Sequence, residues 1–269
     1  MKVHAGFSID YFTAYCEKLR IYLCESFWRN VLSSSEDKAL HQLASKYSGQ
    51  VPRYTSYPPA VDFHSGLTGA EWLELLRSDP ESAPDSSYSF YFHLPFCHSL
   101  CYFCACTKVI ARSREGVAPY LEALSSELKT YQSVLGSDIA VQQIHWGGGT
   151  PNYLTPEEMR ELHLRTLELF PNLVPNADVS IEVDPRTVSP EHLRELRELG
   201  FNRISFGVQD LDPEVQSTIN RIQPWEMTRD TCETARDFGF ESVNVDLIYG
   251  LPNQSFDGFS KTLEQIVEL

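Results

Sequence analysis

Apolar residues follow two alternating patterns over most of the chain. Short apolar runs predict five β-strands, over 88–94, 141–146, 179–183, 203–208 and 242–248. The segments between them carry apolar residues at helical spacing, as in 119–135, where Leu121, Leu124 and Leu128 share one face. This alternation, in units of about 30–40 residues, predicts an α/β fold built on a parallel sheet.

Cap residues mark the ends of several predicted helices. Thr155-Pro156 and Ser189-Pro190 each combine an N-cap residue with a proline in the first helical position. Gly200 follows the last periodic residue of a helix, where a left-handed glycine commonly ends it. The pattern favours a partial (β/α) barrel and leaves a doubly wound sheet open as an alternative, and in both folds functional groups lie at the carboxyl ends of the strands.

The chain divides into three parts. Residues 1–48 are an N-terminal extension to which we assign no chemistry, and 49–87 contain a proline-rich strap, PRYTSYPP, followed by a helix over 70–77. Residues 88–269 form the alternating core. Its last predicted helix begins near Ser255 and meets neither a capping glycine nor a further strand, so we expect a truncated chain with an open sheet edge.

Composition narrows the class of protein. The chain has 269 residues, of which 42% are hydrophobic, and this suits a globular protein with a sizeable core. It has no apolar run of about 18 residues and no signal-peptide pattern, so we expect a cytoplasmic protein without a membrane partner. The net charge of −15 argues against a nucleic-acid partner.

The cysteines are the first sign of chemistry. Four of the seven fall within ten residues, as Cys97, Cys101, Cys104 and Cys106. A secreted disulfide scaffold would be shorter and would spread its cysteines along the chain. In a reducing compartment, such a cluster indicates metal or redox chemistry.

The Cys-x3-Cys-x2-Cys spacing places three thiolates around one small volume, directly after the first predicted strand. Soft thiolates select zinc, copper(I) or iron–sulfur clusters. A structural zinc site needs a fourth ligand, and the lone candidate, Cys232, falls within a predicted helix. Three thiolates suit a [4Fe–4S] cluster that leaves one iron open for catalysis, whereas simple ferredoxin sites use four cysteines.

This loop resembles that of the radical S-adenosylmethionine superfamily. The resemblance implies that Cys97, Cys101 and Cys104 bind a [4Fe–4S] cluster whose open iron holds S-adenosylmethionine, and that an injected electron then yields a 5′-deoxyadenosyl radical. The run WGGGTP over 146–151 follows the second predicted strand and is similar to the glycine-rich edge of these enzymes. There the backbone approaches the methionine amino group, which only glycine permits.

Polar side chains end the later predicted strands. Glu182, Gln209 and Asp246 each follow or interrupt an apolar run. A carboxylate in a β-run is costly to bury without partners, so each is either a satisfied structural residue or part of a site. Their common place at the predicted catalytic rim favours the site. The neighbouring Asp184-Pro185 is typical of a turn.

Further motifs narrow the resemblance. They are PRYTSYPP, YFHLPFCHSLCYFCAC, IHWGGGTPNYL, SIEVDPR, GFNRISFGVQD, NRIQ and VNVDLIYGLP. From about Gly49 onward they resemble the family of oxygen-independent coproporphyrinogen III oxidases within the radical S-adenosylmethionine superfamily. The resemblance implies an incomplete parallel (β/α) barrel with about five of six β/α units, from which the sixth strand and a C-terminal helical domain are missing.

The same resemblance implies roles for individual residues. Tyr91, Gly148 and Glu182 match contacts of the cluster-bound S-adenosylmethionine. The matches to a second S-adenosylmethionine site are Phe103, Gly149, Thr150, Gln209, Arg221 and Asp246. Arg221 has an alternative as an exposed cation at a helix end. Cys106 is not expected to bind iron and is a small thiol packed near the cluster.

The implied reaction is an oxidative decarboxylation in heme biosynthesis. The radical removes a hydrogen atom from a propionate side chain of coproporphyrinogen III, carbon dioxide and an electron leave, and a vinyl group remains. Two such conversions give protoporphyrinogen IX. The implied partners are the porphyrinogen substrate, an electron donor and an electron acceptor, and the full-length protein is expected to be a monomer.

Three alternatives stay open. A heme chaperone of the same family shares the three-cysteine loop but binds heme, and here Cys106 and the PRYTSYPP strap favour the oxidase. A non-catalytic metal protein would hold zinc or an iron–sulfur cluster in a structural role. A truncated product would assemble the cluster and fail to hold the substrate.

Overall fold

A computed structural model describes residues 66–78 and 87–269. The chain divides into two units, Met1–Gly66 and Leu67–Leu269, and the elements below belong to the second. The predicted extension over 1–48 and the strap over 52–59 lie outside the described residues.

A parallel sheet is the centre of the second unit. The strands in chain order are β1 Ser87–Leu94, β2 Phe96–Cys97, β3 Val109–Ile110, β4 Ala140–Gly148, β5 Leu173–Val183, β6 Arg203–Gln209 and β7 Ser242–Leu247. Five of them form one sheet in the order β1-β4-β5-β6-β7, and all of its neighbouring strands run parallel. This confirms the predicted α/β class and its consistency with a partial barrel.

Seven helices of the described residues accompany the sheet. They are α1 Gly69–Ser78, α2 Val117–Leu135, α3 Pro156–Leu169, α4 Pro190–Glu198, α5 Pro213–Thr218, α6 Trp225–Asp237 and α7 Phe256–Val267, with a 3₁₀ turn at Pro151–Tyr153. Helix α1 precedes the first strand, α2 to α6 connect strands of the sheet, and α7 follows the last strand. Parallel strands need such crossovers because each strand must return to the same end of the sheet. Among the described residues, no helix is both long enough and apolar enough to cross a membrane.

Local sequence explains most of the element ends. Thr155 forms a capping box, in which its side chain accepts from the Glu158 backbone and the Glu158 side chain accepts from the Thr155 backbone. Gly200 has a φ of 93°, as expected of a glycine that ends a helix. Strand β5 begins six residues before the predicted strand, at Leu173, which pairs with Val141.

The core lies between the sheet and its helices. Trp146 of β4 is fully buried and meets Phe201 edge to face, with ring centroids 5.0 Å apart. His163 of α3 lies against both rings and is buried. Burial lowers the pKa of His163 to about 4, so the imidazole is neutral in the folded protein at neutral pH.

We expect His163 to make the fold sensitive to acid. Its folded pKa lies below its unfolded value of 6.5, so the unfolded chain binds the extra proton and stability falls as the pH drops from 6.5 towards 4. Between pH 7 and pH 5 this histidine should cost about 2 kcal/mol of unfolding free energy. Denaturant unfolding of the wild type and of His163→Leu at both pH values measures the difference. An identical pH dependence in the two proteins would contradict the prediction.

Candidate active site

The cysteine loop begins where the sheet ends. Cys97 closes strand β2, and β2 pairs in parallel with β3, so that the loop over 98–108 is pinned at both of its ends. Val109 N–H donates to the Pro95 carbonyl at 2.8 Å, and Ala111 N–H donates to the Cys97 carbonyl at 3.0 Å. The loop therefore leaves the carboxyl end of β1, as the sequence predicts.

Polar groups hold the loop in shape between these ends. Cys104 N–H donates to the Cys101 carbonyl at 3.1 Å, and Tyr102 N–H donates to Ile219 at 3.0 Å. Lys108 Nζ donates to the carbonyls of Cys104 and Cys106, at 2.9 and 3.2 Å. These bonds satisfy backbone groups of a loop that has little regular structure.

All four thiols of this loop line one cavity of about 270 Å³. Cys97 and Cys101 are buried, Cys104 is half-buried, Cys106 is exposed, and all four are free thiols. Thr150 Oγ1 lies 3.4 Å from Cys97 Sγ as a hydrogen-bond donor. Burial raises the pKa of the Cys97 thiol, so binding a metal there must displace a proton.

The donor set fits an iron–sulfur cluster. In the described part of the chain, no three His, Cys, Asp or Glu side chains converge closely enough to bind a single metal ion. A cubane cluster instead bonds each thiolate at a separate corner, and its soft irons match three sulfur donors. Cys232, the candidate fourth ligand for zinc, is buried within α6, where burial raises its pKa to about 11.

Glycines form the opposite wall, at the end of β4. Gly148 has a φ of 111°, and a Cβ there would lie 2.7 Å from the His93 ring. A Cβ on Gly149 would lie 2.4 Å from the Pro95 carbonyl oxygen. Both positions therefore require glycine, which exposes the backbone of β4 to the cavity.

Glu182 of β5 lies against this glycine wall. Its Oε2 accepts from Gly148 N–H at 3.2 Å, and its Oε1 lies 3.5 Å from His145 Nε2. The hydrogen bond from His145, followed by that from Gly148, holds the pKa of Glu182 below its usual value despite partial burial. Tyr91 stacks on the His145 ring at 5.8 Å and remains 58% exposed.

The later strand ends bring further predicted residues to the same cavity. Gln209 is the last residue of β6 and has a φ of 73°. Asp246 of β7 accepts from the Ser205 hydroxyl at 2.9 Å. Phe103 packs on the small apolar cluster of Val215, Ile219 and Leu251. The cavity is lined by Phe103, Gly148, Gly149, Thr150, Glu182, Gln209, Arg221 and Asp246, together with the four cysteines of the loop.

Arg221 is buried, which contradicts its alternative as an exposed helix-end cation. Only 6% of the residue is exposed. Its two terminal nitrogens each lie 3.2 Å from a different carboxylate oxygen of Asp184, and Nη2 also donates to the Gly207 carbonyl at 2.6 Å. A two-pronged pair of this kind fixes the plane of the guanidinium.

Sequence reasoning missed Asp184 and Arg186. Asp184 does begin a turn, since its carbonyl accepts from Thr187 N–H at 3.1 Å, but its buried carboxylate also pairs with Arg186 at 2.7 Å. Burial alone would raise the pKa of Asp184, and the hydrogen bonds and charges of Arg186 and Arg221 lower it instead. The available signal was a carboxylate directly after an apolar strand, two residues before an arginine.

These features match a known class of enzyme. A parallel sheet of β/α units carries a three-cysteine loop after its first strand and a glycine wall after the next. Residues 91–266 match the family model described as the Radical SAM superfamily. The chain belongs to that superfamily, whose members use a [4Fe–4S] cluster and S-adenosylmethionine.

Within the superfamily, the chain is similar to proteins named oxygen-independent coproporphyrinogen III oxidase. It is 43% identical over 225 residues to one from Helicobacter pylori strain J99, covering 84% of this chain and 49% of that protein. It is 42% identical over 227 residues to one from Escherichia coli K12, with 84% and 48% covered. The chain thus spans about half the length of the curated relatives it matches.

A solved structure gives the same likeness in three dimensions. Coproporphyrinogen III oxidase (HemN) from Escherichia coli, described as a radical SAM enzyme, superposes with a TM-score of 0.75 at 40% identity. The match covers 84% of this chain and 50% of that one.

Proposed function

We propose that this chain is the radical-chemistry core of an oxygen-independent coproporphyrinogen III oxidase. One observation carries the proposal: four free thiols, three of them in the Cys-x3-Cys-x2-Cys spacing, line one cavity with a glycine wall and an anionic glutamate at the carboxyl ends of parallel strands. The similarity to named oxidases over 84% of the chain supports the assignment. The proposal includes a cytoplasmic location, where such thiols stay reduced.

Cys97, Cys101 and Cys104 bind the cluster in this proposal. When bound, the cluster supplies the electron that cleaves S-adenosylmethionine to a 5′-deoxyadenosyl radical. The Thr150 hydroxyl donates towards Cys97, and Lys108 holds the loop backbone around Cys104. Cys106 is exposed and serves as a neighbour of the cluster rather than as a ligand.

Tyr91, Gly148 and Glu182 bind the cluster-bound S-adenosylmethionine. The Glu182 carboxylate is anionic at neutral pH and is held by Gly148 and His145, so that it offers a fixed negative charge to the methionine ammonium group. The exposed backbone of the glycine wall lets that ammonium group approach closely. Tyr91 has an exposed ring that can stack on or cover the cofactor.

The proposal also includes a binding site for a second S-adenosylmethionine. Its contacts are Phe103, Gly149, Thr150, Gln209, Arg221 and Asp246, all of which line the cavity. Because the terminal nitrogens of Arg221 already bond to Asp184 and Gly207, we expect that arginine to act chiefly through its positive charge. Gln209 and Asp246 then offer the polar contacts at the strand ends.

The proposed reaction on the substrate is the one that the similarity to named oxidases implies. One hydrogen atom leaves a propionate side chain of coproporphyrinogen III, the C–C bond to the carboxylate breaks to release carbon dioxide, and one electron passes to an external acceptor. A vinyl group remains, and a second propionate repeats the conversion to give protoporphyrinogen IX. An enclosed site protects the radical from side reactions with solvent.

Anaerobic reconstitution with iron and sulfide tests the function. We expect an electron paramagnetic resonance signal of a reduced [4Fe–4S] cluster that shifts on adding S-adenosylmethionine, and conversion of coproporphyrinogen III to protoporphyrinogen IX measured by chromatography. A cluster that ignores S-adenosylmethionine would overturn the proposal. Tight heme binding without decarboxylation would identify the chaperone instead.

Glu182→Gln should weaken the binding of S-adenosylmethionine. The change removes the negative charge that faces the ammonium group and keeps the shape of the side chain. A hydrogen bond to a charged group contributes about 1.5–3 kcal/mol, so we expect the dissociation constant to rise by about 10–150-fold. Titration followed by electron paramagnetic resonance measures it on the reconstituted protein.

Asp178→Asn is the matched control for Glu182→Gln. Asp178 lies in the middle of the same strand, β5, four residues before Glu182, and its half-exposed side chain pairs with Arg203 at 2.8 Å. It should leave both the cluster content and the affinity for S-adenosylmethionine unchanged. Equal effects of the two variants would show that Glu182 has no direct role.

A further inference from the structure

Two arginines converge on one of the three thiols. Arg186 Nη2 lies 3.5 Å from Cys101 Sγ, and Arg221 Nη1 lies 3.6 Å from the same sulfur. Arg186 precedes helix α4 and Arg221 follows helix α5, so each reaches Cys101 from a different connection of the fold. Sulfur accepts hydrogen bonds at these lengths, and a thiolate accepts them more strongly than a thiol.

Asp184 holds both arginines in place. Its carboxylate accepts hydrogen bonds from Nε and Nη2 of Arg186, at 3.0 and 2.7 Å, and from both terminal nitrogens of Arg221, at 3.2 Å each. The backbone N–H of Asp184 donates to Asn152 Oδ1 at 2.9 Å, which fixes the carboxylate in turn. The network is therefore rigid, and its geometry does not depend on flexible surface side chains.

The network leaves a net positive charge beside Cys101. Two guanidinium groups, which remain protonated in proteins, face a single carboxylate. Arg221 and Asp184 are buried, so solvent screens this charge poorly. The other two thiols have different surroundings: Cys97 has the neutral Thr150 hydroxyl, and Cys104 has Cys106 as a thiol neighbour.

We propose that Arg186 and Arg221 are positioning residues that donate hydrogen bonds to the Cys101 thiolate and raise the reduction potential of the bound cluster. The inference rests on the cluster of the proposed function and adds the residues that set its potential. Reduction adds one electron to the cluster core, which passes from the 2+ to the 1+ state. Donors and positive charge at a ligating sulfur stabilise the more negative product and so make reduction easier.

The test is a redox titration of the reconstituted protein against a chemical reductant such as dithionite, without S-adenosylmethionine. Arg186→Gln should shift the potential to more negative values, so that the ratio of reduced to oxidised cluster at the wild-type midpoint falls at least about tenfold, or 59 mV for one electron. Arg186→Lys keeps the positive charge but loses the planar set of guanidinium donors. Its reduction potential should lie between those of the wild type and of Arg186→Gln. An unchanged potential in Arg186→Gln would overturn the inference.

Arg165→Gln is the matched control. Arg165 is a half-buried arginine of α3 that pairs with Glu168 at 3.2 Å and is not part of the cavity lining. Its removal should leave the potential at the wild-type value. A shift equal to that of Arg186→Gln would show that a general loss of positive charge is responsible, and would count against a local effect at Cys101.

A second measurement uses the wild-type protein and so does not depend on how a variant folds. Protein labelled with ¹⁵N-arginine and reduced without S-adenosylmethionine should show a ¹⁵N hyperfine coupling to the cluster in pulsed electron paramagnetic resonance. The coupling should weaken in Arg186→Lys. A cluster without any ¹⁵N coupling would contradict the inference and leave the proposed function intact, whereas a protein that binds no cluster would overturn the proposed function itself.

Discussion

Cys101→Ala is expected to abolish assembly of the cluster and, with it, cleavage of S-adenosylmethionine. Cys101 is buried at the centre of the loop and receives both guanidinium donors, so its replacement removes one of the three proposed ligands together with the acceptor of those hydrogen bonds. The rate of S-adenosylmethionine cleavage should fall by more than about 100-fold. This loss is larger than that expected from removing a residue that only supports a ligand. Iron and sulfide analysis after reconstitution, with an assay for 5′-deoxyadenosine, measures the effect.

Cys232→Ala is the control for this variant. Cys232 is also a buried free thiol, but it packs in the apolar core within α6. Its replacement should cost about 1 kcal/mol of stability, a typical value for a point mutation, and should leave the iron content unchanged. If Cys101→Ala retained a full cluster, the assignment of the three ligands would be wrong.

Gly149→Ala should give the second large effect, on folding and on the cavity together. A Cβ at this position would lie 2.4 Å from the Pro95 carbonyl oxygen and 2.5 Å from its carbon, and both atoms belong to backbone. The Pro95 carbonyl already accepts from Val109 N–H, and Gly149 N–H donates to Leu94, so neither segment can move without breaking a hydrogen bond. We expect a loss of about 2–3 kcal/mol in the free energy of unfolding, within the range for overpacking a filled site.

Gly116→Ala is the matched control for this substitution. Gly116 is the N-cap of α2 with a φ of −78°, and a Cβ there would meet only the Phe96 ring at 3.7 Å. The variant should change the unfolding free energy by less than about 1 kcal/mol, because the weaker N-cap and the smaller entropy of the unfolded chain oppose each other. Denaturant unfolding measures the unfolding free energy of Gly149→Ala and of Gly116→Ala. Equal values would show that the backbone around Gly149 can shift to accept a side chain.

Much of the fold was predictable because the signals are local. Apolar runs separated by helical spacing predicted five parallel strands, and the structure confirms them. The caps at Thr155 and Ser189 depend on residues three positions apart, which the sequence shows directly. The start of β5 was missed because the additional residues, Leu173 to Asp178, carry no regular alternation and include Asn176, which has a positive φ.

Local sequence signals also predicted only part of the candidate site. The cysteine spacing and the glycine triplet are contiguous in sequence, and the resemblance to a known family depends on them. Their meeting in one cavity follows from the topology, since the carboxyl ends of parallel strands share an edge. The register supports this, with Leu94 beside Gly148 and Gly207 beside Asp246.

The sequence by itself therefore determined the fold class, the three thiols and the strand ends that carry polar residues. Only the tertiary structure decided that Arg221 is buried and that Asp184 joins it to Arg186 at Cys101. In the chain, Arg186 lies 85 positions after Cys101, and Arg221 lies 120 positions after it. Which distant side chains meet depends on how the crossovers pack on the sheet, and that arrangement is set by the burial of the whole core rather than by any local pattern.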